Sequence, residues 1–567
     1  MTDRIAIALA QINPTVGDIS GNIERVRRAR AEAASLGADL VVPGELVVSG
    51  YPPEDLVLKP MFLDAVAEKV AAFARETADG GPAVLLTTPW RDGTARESDN
   101  GNGGTTWSRA VYNAVLLLDG GAIQSVRYKY DLPNYGVFDE KRVFTAGPMP
   151  GPMNVRGVRL GVMICEDMWK PDVTECLEES GAEILIVPNG SPFESDKLDE
   201  RIQLAVSRIT ESGLPLVYVN QVGGQDELVF EGASFVLDAA RNLRVQAPAW
   251  REGVVLSKWQ RNGSGKWDCA TGEIAQPPSS LEQTYQAMVV GLRDYVNKNR
   301  FPGVILGLSG GIDSALSAAI AVDGLGADRV RTVMMPSPYT SRDSLEDAAE
   351  VARLLGVKLD NVSIEPAMAA FGQMLAPHFA GRSPDITEEN IQSRARGITL
   401  MAMSNKFGHM VLSTGNKSEM SVGYATLYGD MCGGYAVLKD VYKTTVFQLS
   451  RWRNQAHPPG ALGPAGRVMP ERVITKPPTA ELKPNQTDQD TLPPYDVLDD
   501  ILSCLIEGEL PIGEIVKRGH DEATVRRVWR MLDRAEYKRR QAPPGVKITR
   551  RAFGRERRYP ITNAYQG

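Results

Sequence analysis

Residues 303–316 read GVILGLSGGIDSAL, and this stretch decides the fold of the second half of the chain. The apolar run 303–308 predicts a buried strand, and the two glycines after it predict a sharp turn. An apolar helix is predicted from about residue 313 to 322, and a further strand from 330 to 335. Strand, helix and strand in this rhythm indicate a parallel, doubly wound sheet.

The turn between this strand and this helix, Ser309 to Ser314, has the chemistry of a phosphate site. Its two glycines let backbone N–H groups converge on an anion, and the helix N-terminus adds a partial positive charge. Ser309 and Ser314 supply hydroxyl donors, whereas Asp313 makes sense beside a phosphate mainly if a Mg²⁺ ion lies between them. The simpler alternative is a glycine-rich turn with a helix cap. The strand before the turn and the helix after it favour the nucleotide interpretation.

The sequence SGGIDS resembles the signature of the ATP pyrophosphatases, which split ATP between its α and β phosphates and transfer AMP to a substrate. Residues 281–567 also resemble the NAD synthetase branch of these enzymes. The segments that carry this resemblance are MPSPYTS (335–341), ENIQSRAR (389–396), STGNKSE (413–419), YGD (428–430), KDVYK (439–443) and KPPTAEL (476–482). A lone charged residue at any of these positions is more simply explained as a solvated surface charge. The resemblance therefore depends on the shared order of all six motifs.

The resemblance implies the residues of a ligase site. The implied ATP contacts are Ser309, Gly310, Gly311, Ile312, Asp313, Ser314, Ala315, Leu316, Thr414, Lys443 and Thr479. The implied deamido-NAD contacts are Asn390, Arg394, Glu419, Asp430 and Lys538, with Asp313 and Glu419 also holding Mg²⁺. In the implied reaction the nicotinate carboxylate attacks the ATP α-phosphate, which gives an acyl adenylate and pyrophosphate, and ammonia then displaces AMP.

The first half has a cysteine at the end of a strand-like run, LGVMICED (160–167). Taken alone, Cys165 is better explained as a small buried apolar side chain. Three other stretches change that interpretation: ELVVSGYPPEDL (45–56), KYDLPNYGVFDEKR (129–142) and NQVGGQD (220–226). Together, over about residues 3–240, they resemble the nitrilase superfamily and, within it, the glutaminase domain of NAD synthetases.

This second resemblance implies a catalytic triad of Glu45, Lys129 and Cys165. Glu45 would take the thiol proton, and Lys129 would stabilise the thiolate and the oxyanion of the tetrahedral intermediate. The implied glutamine contacts are Tyr51, Tyr135, Phe138, Glu166, Ser191 and Lys197. The family usually has proline directly before the base, whereas this chain reads Pro43-Gly44-Glu45, which puts the preceding turn in doubt.

The overall fold is predicted to be α/β in two domains. The first half alternates short apolar runs with amphipathic segments. Its predicted elements are a helix at 22–36 and strands at 4–10, 39–42, 84–87, 114–118, 160–164, 183–187, 216–219 and 233–237. The resemblances imply an N-terminal α-β-β-α sandwich and a C-terminal Rossmann-like domain. A helix at 281–299 opens the second half, and turn residues before it place a linker at 271–280 between domains 1–270 and 281–567.

Composition limits the classes of function. The net charge of −7 over 567 residues argues against a general nucleic-acid binder. No apolar run is long enough to cross a bilayer and the N-terminus has no signal-peptide core, so we expect a cytoplasmic protein without a membrane partner. None of the five cysteines has CxxC spacing, which argues against a disulfide framework or a zinc site. The four histidines argue against chemistry that needs several imidazoles.

The combined prediction is a glutamine-hydrolysing member of the NAD synthetase family with L-glutamine, ATP and deamido-NAD as its small-molecule substrates. Two sites on one chain also predict a protected route for ammonia, and the resemblance implies a homo-oligomer. Three alternatives stay open: another amidating ligase with the same phosphate loop, an amidase with a regulatory nucleotide domain, and a scaffold without enzyme activity.

Overall fold

The computed structural model describes residues 3–99, 105–195, 197–484 and 486–565. The chain divides into two compact units. The first unit comprises Met1–Gln225 and Val229–Pro278, and the second comprises Asp226–Leu228 and Ser279–Gly567. Residues 271–278 therefore pack with the first unit.

The first unit contains two large sheets and a short hairpin. Its strands are β1 (Arg4–Gln11), β2 (Leu40–Pro43), β3 (Ala83–Asp99), β4 (Thr105–Asp119), β5 (Ala122–Tyr128), β6 (Met153–Val155), β7 (Val158–Val162), β8 (Ile184–Asn189), β9 (Leu216–Asn220), β10 (Val222–Gln225), β11 (Leu228–Glu231), β12 (Phe235–Leu237), β13 (Leu243–Gln246), β14 (Gly253–Arg261) and β15 (Trp267–Cys269). Its helices are α1 (Ile19–Ser35), α2 (Pro60–Glu76), α3 (Glu140–Val143), α4 (Pro171–Glu179) and α5 (Lys197–Ser212), with 3₁₀ turns at Glu54–Leu58, Thr77–Asp79 and Cys165–Met168.

The two sheets pack face to face as the inner layers of an α-β-β-α sandwich. One sheet has the order β15-β14-β1-β2-β3-β4-β5, and the other has the order β13-β12-β9-β8-β7-β6. Alternate side chains of both sheets, such as Ile7, Val42, Ile186 and Val219, fill the core between them. A second apolar cluster joins α1 and α2 to the outer face of the first sheet, and a third joins α4 and α5 to the second sheet.

The predicted strands and the first helix of this unit are present, with ends shifted by one to several residues. Just before the predicted linker at 271–280, the chain forms a hairpin that was not predicted, in which β14 pairs antiparallel with β15. The turn residues Asn262 to Gly265 close this hairpin, because the Asn262 amide donates to Lys266 O and the Gly265 amide donates to Asn262 O. A three-residue strand such as β15 is too short for its apolar alternation to be recognised in the sequence.

The second unit is a parallel sheet surrounded by helices. Its strands are β16 (Val304–Gly307), β17 (Val330–Met334), β18 (Lys358–Asn361), β19 (Met410–Ser413) and β20 (Tyr435–Ala436). Its helices are α6 (Ser280–Lys298), α7 (Ile312–Leu325), α8 (Arg342–Leu355), α9 (Glu365–Leu375), α10 (Ile386–Phe407), α11 (Lys417–Val422), α12 (Lys443–Gln455), α13 (Glu471–Thr475), α14 (Tyr495–Ile506), α15 (Ile512–Lys517), α16 (Glu522–Arg534) and α17 (Glu536–Arg539), with 3₁₀ turns at Ala327–Arg329 and Asp488–Asp490.

The strand order of this sheet confirms the doubly wound prediction. The order is β18-β17-β16-β19-β20, and every pair of neighbours is parallel. The order reverses between β16 and β19, so the loops that follow these two strands open a crevice at the carboxyl edge of the sheet. The predicted phosphate loop follows β16, and the STGNKSE segment follows β19. Across the described residues, no helix combines the length and apolar character that a membrane span needs.

Candidate active sites

Glu45 lies in the loop that follows β2, at the carboxyl end of that strand. Its backbone N–H donates to Asn189 O (3.0 Å) at the end of β8 in the facing sheet. The preceding Gly44 makes this approach possible, because a Cβ atom there would lie 2.8 Å from Asn189 O and 2.9 Å from Gln221 N. The glycine that departs from the family pattern therefore allows close packing, and Glu45 itself is fully buried.

Lys129 lies between two buried glutamates. Its Nζ donates to Glu45 Oε1 (2.7 Å) and to Glu140 Oε1 (2.9 Å), and both the lysine and Glu45 have no solvent-exposed side-chain surface. Burial opposes the charge of Lys129, but the two carboxylates outweigh it and raise the pKa of the ammonium group. Burial raises the pKa of Glu140 to about 7, against the opposing effect of Lys129 and with a further rise caused by Glu45.

Cys165 begins the 3₁₀ turn that follows β7 and has a left-handed backbone with φ of +46°. Such a conformation is costly for a residue with a Cβ atom and is concentrated at functional sites. The Asp167 carboxylate stabilises the turn, because it accepts from the amides of Ile164 (2.9 Å), Tyr130 (3.0 Å) and Asp131 (2.8 Å). Asp167 thereby ties the Cys165 turn to the segment after Lys129.

Burial and the neighbouring charges together determine the pKa of the Cys165 thiol. Burial raises its pKa well above the ordinary value, and the negative charge of Glu45 raises it further, while Lys129 partly offsets both. The thiol is therefore close enough to both groups to respond to their charges. A nucleophile in this state needs a base to take its proton as it attacks.

The residues implied as glutamine contacts are distributed around this cluster. Tyr51 is buried and its hydroxyl donates to Glu140 Oε1 (3.0 Å). Tyr135 is half exposed, and its hydroxyl donates to Glu166 Oε2 (2.9 Å). Burial raises the pKa of the Glu166 carboxyl group. Phe138 packs edge-to-face on Tyr135 with ring centroids 5.5 Å apart.

Ser191 and Lys197 lie beyond the end of β8. Ser191 is buried, and its amide donates to Asn220 Oδ1 (3.0 Å) while Arg201 Nε donates to its hydroxyl (3.1 Å). Lys197 pairs with Glu194 at 3.4 Å, and its Nζ lies 5.8 Å from the centre of the Trp169 ring. The described contacts of Lys197 are thus with an acid and an aromatic ring rather than with the buried cluster.

Two further polar residues of this cluster were not identified from the sequence. Glu140, on α3, holds Lys129, and Asn113, on β4, donates to Glu45 Oε1 (2.7 Å). Glu140 belongs to the KYDLPNYGVFDEKR segment, so a search for a second acid near the lysine would have found it. Asn113 lies in an apolar run, where a polar residue that points inward is itself a signal of a buried network.

The phosphate loop of the second unit has the predicted geometry. Gly310 has φ of +81°, and a Cβ atom there would lie 2.3 Å from Ser344 O, so only glycine fits. Ser309 and Ser314 face each other with their hydroxyl oxygens 3.1 Å apart, and the Ser314 hydroxyl donates to Gly311 O (2.9 Å). Ile312, Ala315 and Leu316 are buried in the first turns of α7, where they fix the helix N-terminus behind the loop.

Asp313 and Glu419 are brought together by one lysine and one asparagine. Lys443 Nζ donates to Asp313 Oδ2 (2.5 Å) and Glu419 Oε1 (3.0 Å). Asn416 donates to Asp313 Oδ1 (2.9 Å) and accepts from the Glu419 amide (3.0 Å) as the N-cap of α11. Burial raises the pKa of Glu419 to about 7, with Lys443 opposing the shift.

Four implied deamido-NAD contacts converge on residues 423–430. Asn390 Oδ1 accepts from the Thr426 hydroxyl (3.0 Å), and Arg394 Nε donates to Leu427 O (3.2 Å). Asp430 accepts from the Thr426 amide (2.7 Å), and burial raises its pKa. Lys538 Nζ donates to Gly423 O and Ala425 O, both at 2.7 Å. Arg394 and Lys538 thus contact backbone carbonyls in this structure.

The remaining implied ATP contacts lie on loops around the crevice. Thr414 follows β19, and the Thr479 hydroxyl donates to Gln486 O (2.6 Å). Glu481, two residues after Thr479, accepts from the Ser344 hydroxyl (2.8 Å), and Ser344 O is the backbone atom that adjoins Gly310. A cavity near these loops is lined by Ser413, Gly415, Glu419, Met420, Ala425, Asp430, Met431, Ala436, Lys439, Ala542 and Pro543.

Both halves of the chain match known family models. Residues 6–268 match the carbon-nitrogen hydrolase family, and residues 284–542 match the NAD synthase family. The chain is 50% identical to the glutamine-dependent NAD(+) synthetase of Rhodobacter capsulatus, with all of both chains covered. It is 44% identical to the protein of the same name from Acinetobacter baylyi, over 99% of this chain and 98% of that protein.

A solved structure gives the same correspondence. The glutamine-dependent NAD+ synthetase from Acinetobacter baumannii, in complex with adenosine diphosphate, matches with a TM-score of 0.76 and 43% identity. This match covers 98% of each chain. The similarity therefore extends over both units and not over the phosphate loop or the cysteine segment alone.

Proposed function

The chain belongs to the glutamine-dependent NAD(+) synthetases, and on that premise we propose how its residues divide the reaction. Glu45, Lys129 and Cys165 release ammonia from L-glutamine in the first unit. Asp313, Glu419, Lys443 and the phosphate loop serve the amidation of deamido-NAD in the second unit. The observation that carries the proposal is the closed cluster in which Lys129 bridges Glu45 and Glu140 beside the Cys165 thiol.

The first step is attack of Cys165 on the glutamine carboxamide. The thiol proton passes to Glu45 as the S–C bond forms, and Lys129 stabilises the negative oxygen of the tetrahedral intermediate. Collapse of this intermediate breaks the C–N bond, and the leaving ammonia takes the proton from Glu45. Water, deprotonated by Glu45, then attacks the thioester, the C–S bond breaks to free glutamate, and the Cys165 sulfur takes the proton back from Glu45. Histidine has no role in this scheme.

Glutamine is proposed to bind above this cluster through Tyr51, Tyr135, Phe138, Glu166, Ser191 and Lys197. The half-exposed Tyr135 and the Glu166 carboxylate that it contacts supply polar groups at the surface of the site. Glu166 adjoins Cys165 in sequence, so a substrate ammonium group paired with this acid would lie close to the nucleophile. The neighbouring Phe138 provides apolar surface for the substrate methylene groups.

In the second unit, the phosphate loop and Lys443 are proposed to bind ATP. Asp313 and Glu419 would hold Mg²⁺, and the donor set fits this ion, because Mg²⁺ is commonly bound by one or two carboxylates and the substrate phosphates. Bound Mg²⁺ would neutralise charge on the phosphates during adenylation.

Deamido-NAD is proposed to bind along α10 and residues 423–430 through Asn390, Arg394, Glu419, Asp430 and Lys538. Among the described residues, the hydrogen bonds of Arg394 and Lys538 go to neutral backbone carbonyls, so both side chains can also pair with a dinucleotide phosphate or carboxylate. Thr414 and Thr479 complete the nucleotide contacts. Once the nicotinate carboxylate is adenylated, ammonia attacks the acyl carbon and AMP leaves.

We also propose that the chain assembles as a homo-oligomer and transfers ammonia without release. Exposed apolar side chains on α9 and α10 support the proposal of assembly. They are Met374, Ile398 and Met401, on the unit that also contains Asn390 and Arg394. Light scattering of the purified chain and of an Ile398→Asp variant tests assembly. Addition of ¹⁵N-ammonium beside unlabelled glutamine tests transfer: incorporation of ¹⁵N into NAD in proportion to the added ammonium would show that ammonia exchanges with solvent.

The deciding experiment compares Cys165→Ala with Cys176→Ala. Cys176 is a half-buried cysteine on α4 that has no proposed role. Each protein receives ATP and deamido-NAD with either glutamine or ammonia, and NAD, AMP, pyrophosphate and glutamate are resolved. We expect Cys165→Ala to lose glutamate release and glutamine-driven synthesis, with ammonia-driven synthesis kept, and Cys176→Ala to keep all activities. Glutamate release by Cys165→Ala would overturn the assignment of the nucleophile.

A further inference from the structure

The three charged residues of the amidase cluster share a fourth neighbour, Asn113 of β4. The backbone O of Asn113 accepts from the Lys129 amide (2.8 Å). The side-chain Nδ2 donates to Glu45 Oε1 (2.7 Å) and lies 3.5 Å from Glu140 Oε2. A single buried residue therefore contacts the lysine and both carboxylates, which come from three different elements of the fold.

The Asn113 amide has one allowed orientation. Its Oδ1 is buried and has no hydrogen-bond partner among the described residues. Rotation of the amide by 180° would place this oxygen against Glu45 Oε1, which is repulsive while the carboxylate is ionised. Buried polar atoms without partners are rare and costly in folded proteins, so the nitrogen contacts must outweigh the loss at the oxygen.

On this geometry we propose that Asn113 is a positioning residue for glutamine hydrolysis, which directs the two oxygens of Glu45 to different tasks. This inference rests on the proposed role of Glu45 as base. Oε1 accepts from both Asn113 and Lys129, whereas Oε2 accepts from the Gly190 amide (3.0 Å). Oε1 is thus saturated by strong donors, and Oε2 takes the proton from Cys165 and later from water.

Asn113 also favours the ionised state of the carboxylate pair, because an amide N–H can only donate to it. The groups that face the pair are Lys129 after β5, Tyr51 in the loop after the base, and Cys165 with Glu166 in the 3₁₀ turn. Burial of Glu140 and the charge of Glu45 oppose ionisation of Glu140, and Lys129 favours it. Loss of the amide donor therefore shifts the balance toward the protonated form.

The test measures glutamine hydrolysis by Asn113→Ala from pH 6 to 9. We expect kcat to fall about 100-fold, as for a misplaced catalytic group, with the glutamine KM within about threefold because Asn113 acts through Glu45 and not on substrate. The acid limb of the kcat profile should move to higher pH. Ammonia-driven synthesis reports whether the second unit has folded, and thermal unfolding followed by calorimetry reports whether the first unit, which contains Asn113, has folded.

Two more variants separate positioning from packing. Gln246→Ala removes another buried amide, on β13, whose Nε2 donates to Ala233 O (2.8 Å), and should leave kcat and the acid limb unchanged. Asn113→Asp keeps the shape but adds a third carboxylate, so its activity should exceed that of Asn113→Ala only at acid pH, where the new group can donate. This variant also decides the matter if Asn113→Ala fails to fold.

An unchanged acid limb in both Asn113 variants, with losses no greater than in Gln246→Ala, would overturn the positioning role. That result would leave the proposed function intact, because the latter is decided by glutamate release in Cys165→Ala. Conversely, glutamate release by Cys165→Ala would overturn the assignment of Cys165 as nucleophile, whatever the result for the Asn113 variants.

Discussion

Each unit contains a lysine held between two carboxylates, but the two clusters differ in their access to solvent. In the first unit the side chains of Lys129, Glu45 and Glu140 are at most 6% exposed. In the second unit the side chain of Lys443 is 2% exposed, whereas the side chains of Asp313 and Glu419 are each 19% exposed. Both clusters include a buried asparagine, Asn113 in the first and Asn416 in the second.

The difference follows from what each cluster has to exchange. The groups around Cys165 exchange only protons during the proposed hydrolysis, and a dry surrounding strengthens the effect of their charges on the thiol and on the oxyanion. Under the proposed function, the acids around Lys443 instead admit a metal ion and the phosphates of ATP and release them in every cycle. Glu419 lines a cavity, and its bond to Lys443 must be exchanged for a new partner when the nucleotide binds.

The largest expected effect comes from the matched pair Lys129→Met and Lys443→Met. Lys129→Met leaves two glutamates unpaired in a closed cluster, so we expect a loss of about 3–5 kcal/mol in stability and at least about a 10⁴-fold loss in glutamine hydrolysis. Lys443→Met leaves the carboxylates of Asp313 and Glu419 unpaired, but water reaches both of them. Its drop in melting temperature should be smaller, with synthesis reduced about 10²–10³-fold for either nitrogen donor. Calorimetry and the two assays measure these changes.

Each variant of this pair is the control for the other. Lys129→Met should retain ammonia-driven synthesis if the second unit folds, and Lys443→Met should retain glutamine hydrolysis. Equal decreases in melting temperature would show that the difference in solvent exposure between the two clusters does not affect the stability of the fold.

The phosphate loop allows a second comparison, between its adjacent glycines. Gly310→Ala needs a left-handed alanine with its Cβ atom 2.3 Å from Ser344 O, so the loop must shift. Gly311→Ala meets only the Ser309 hydroxyl at 3.3 Å and keeps an ordinary φ of −87°. We expect synthesis to fall about 100-fold in Gly310→Ala and much less in Gly311→Ala, with glutamine hydrolysis unaffected in both. Similar losses in the two variants would show that backbone strain is not the cause.

The sequence predicted the long apolar elements of both units and missed the short ones. The segments that became β16, α7, β17 and α6 carry strong apolar runs bounded by glycine and proline, and their strand order follows from the phosphate loop. The first unit contains short strands such as β6, β10 and β15, whose few residues do not establish a period.

The site predictions have a similar limit. Motif segments supplied Glu45, Lys129, Asp313 and Glu419, and the structure brings the first two together and the last two together. Asn113 could not be found in this way, because its partners come from a loop and a helix remote in sequence. Nor could the sequence show that Lys538 contacts carbonyls, since this depends on how residues 423–430 fold.

The smallest of the three effects concerns the thiol in the closed cluster. Burial and Glu45 hold the pKa of Cys165 well above its usual range, so at pH 7 to 9 only a small thiolate fraction exists. While the pH stays below the pKa, that fraction rises about tenfold for each unit by which the pH is increased. The rate of alkylation by iodoacetamide at Cys165 should therefore rise about tenfold for each of the two units between pH 7 and pH 9. Mass spectrometry of the Cys165 peptide measures the rate, with Cys165→Ala as the control. A rate that is flat with pH would mean that Lys129 has already stabilised a thiolate, and that the dry cluster activates its nucleophile before glutamine arrives.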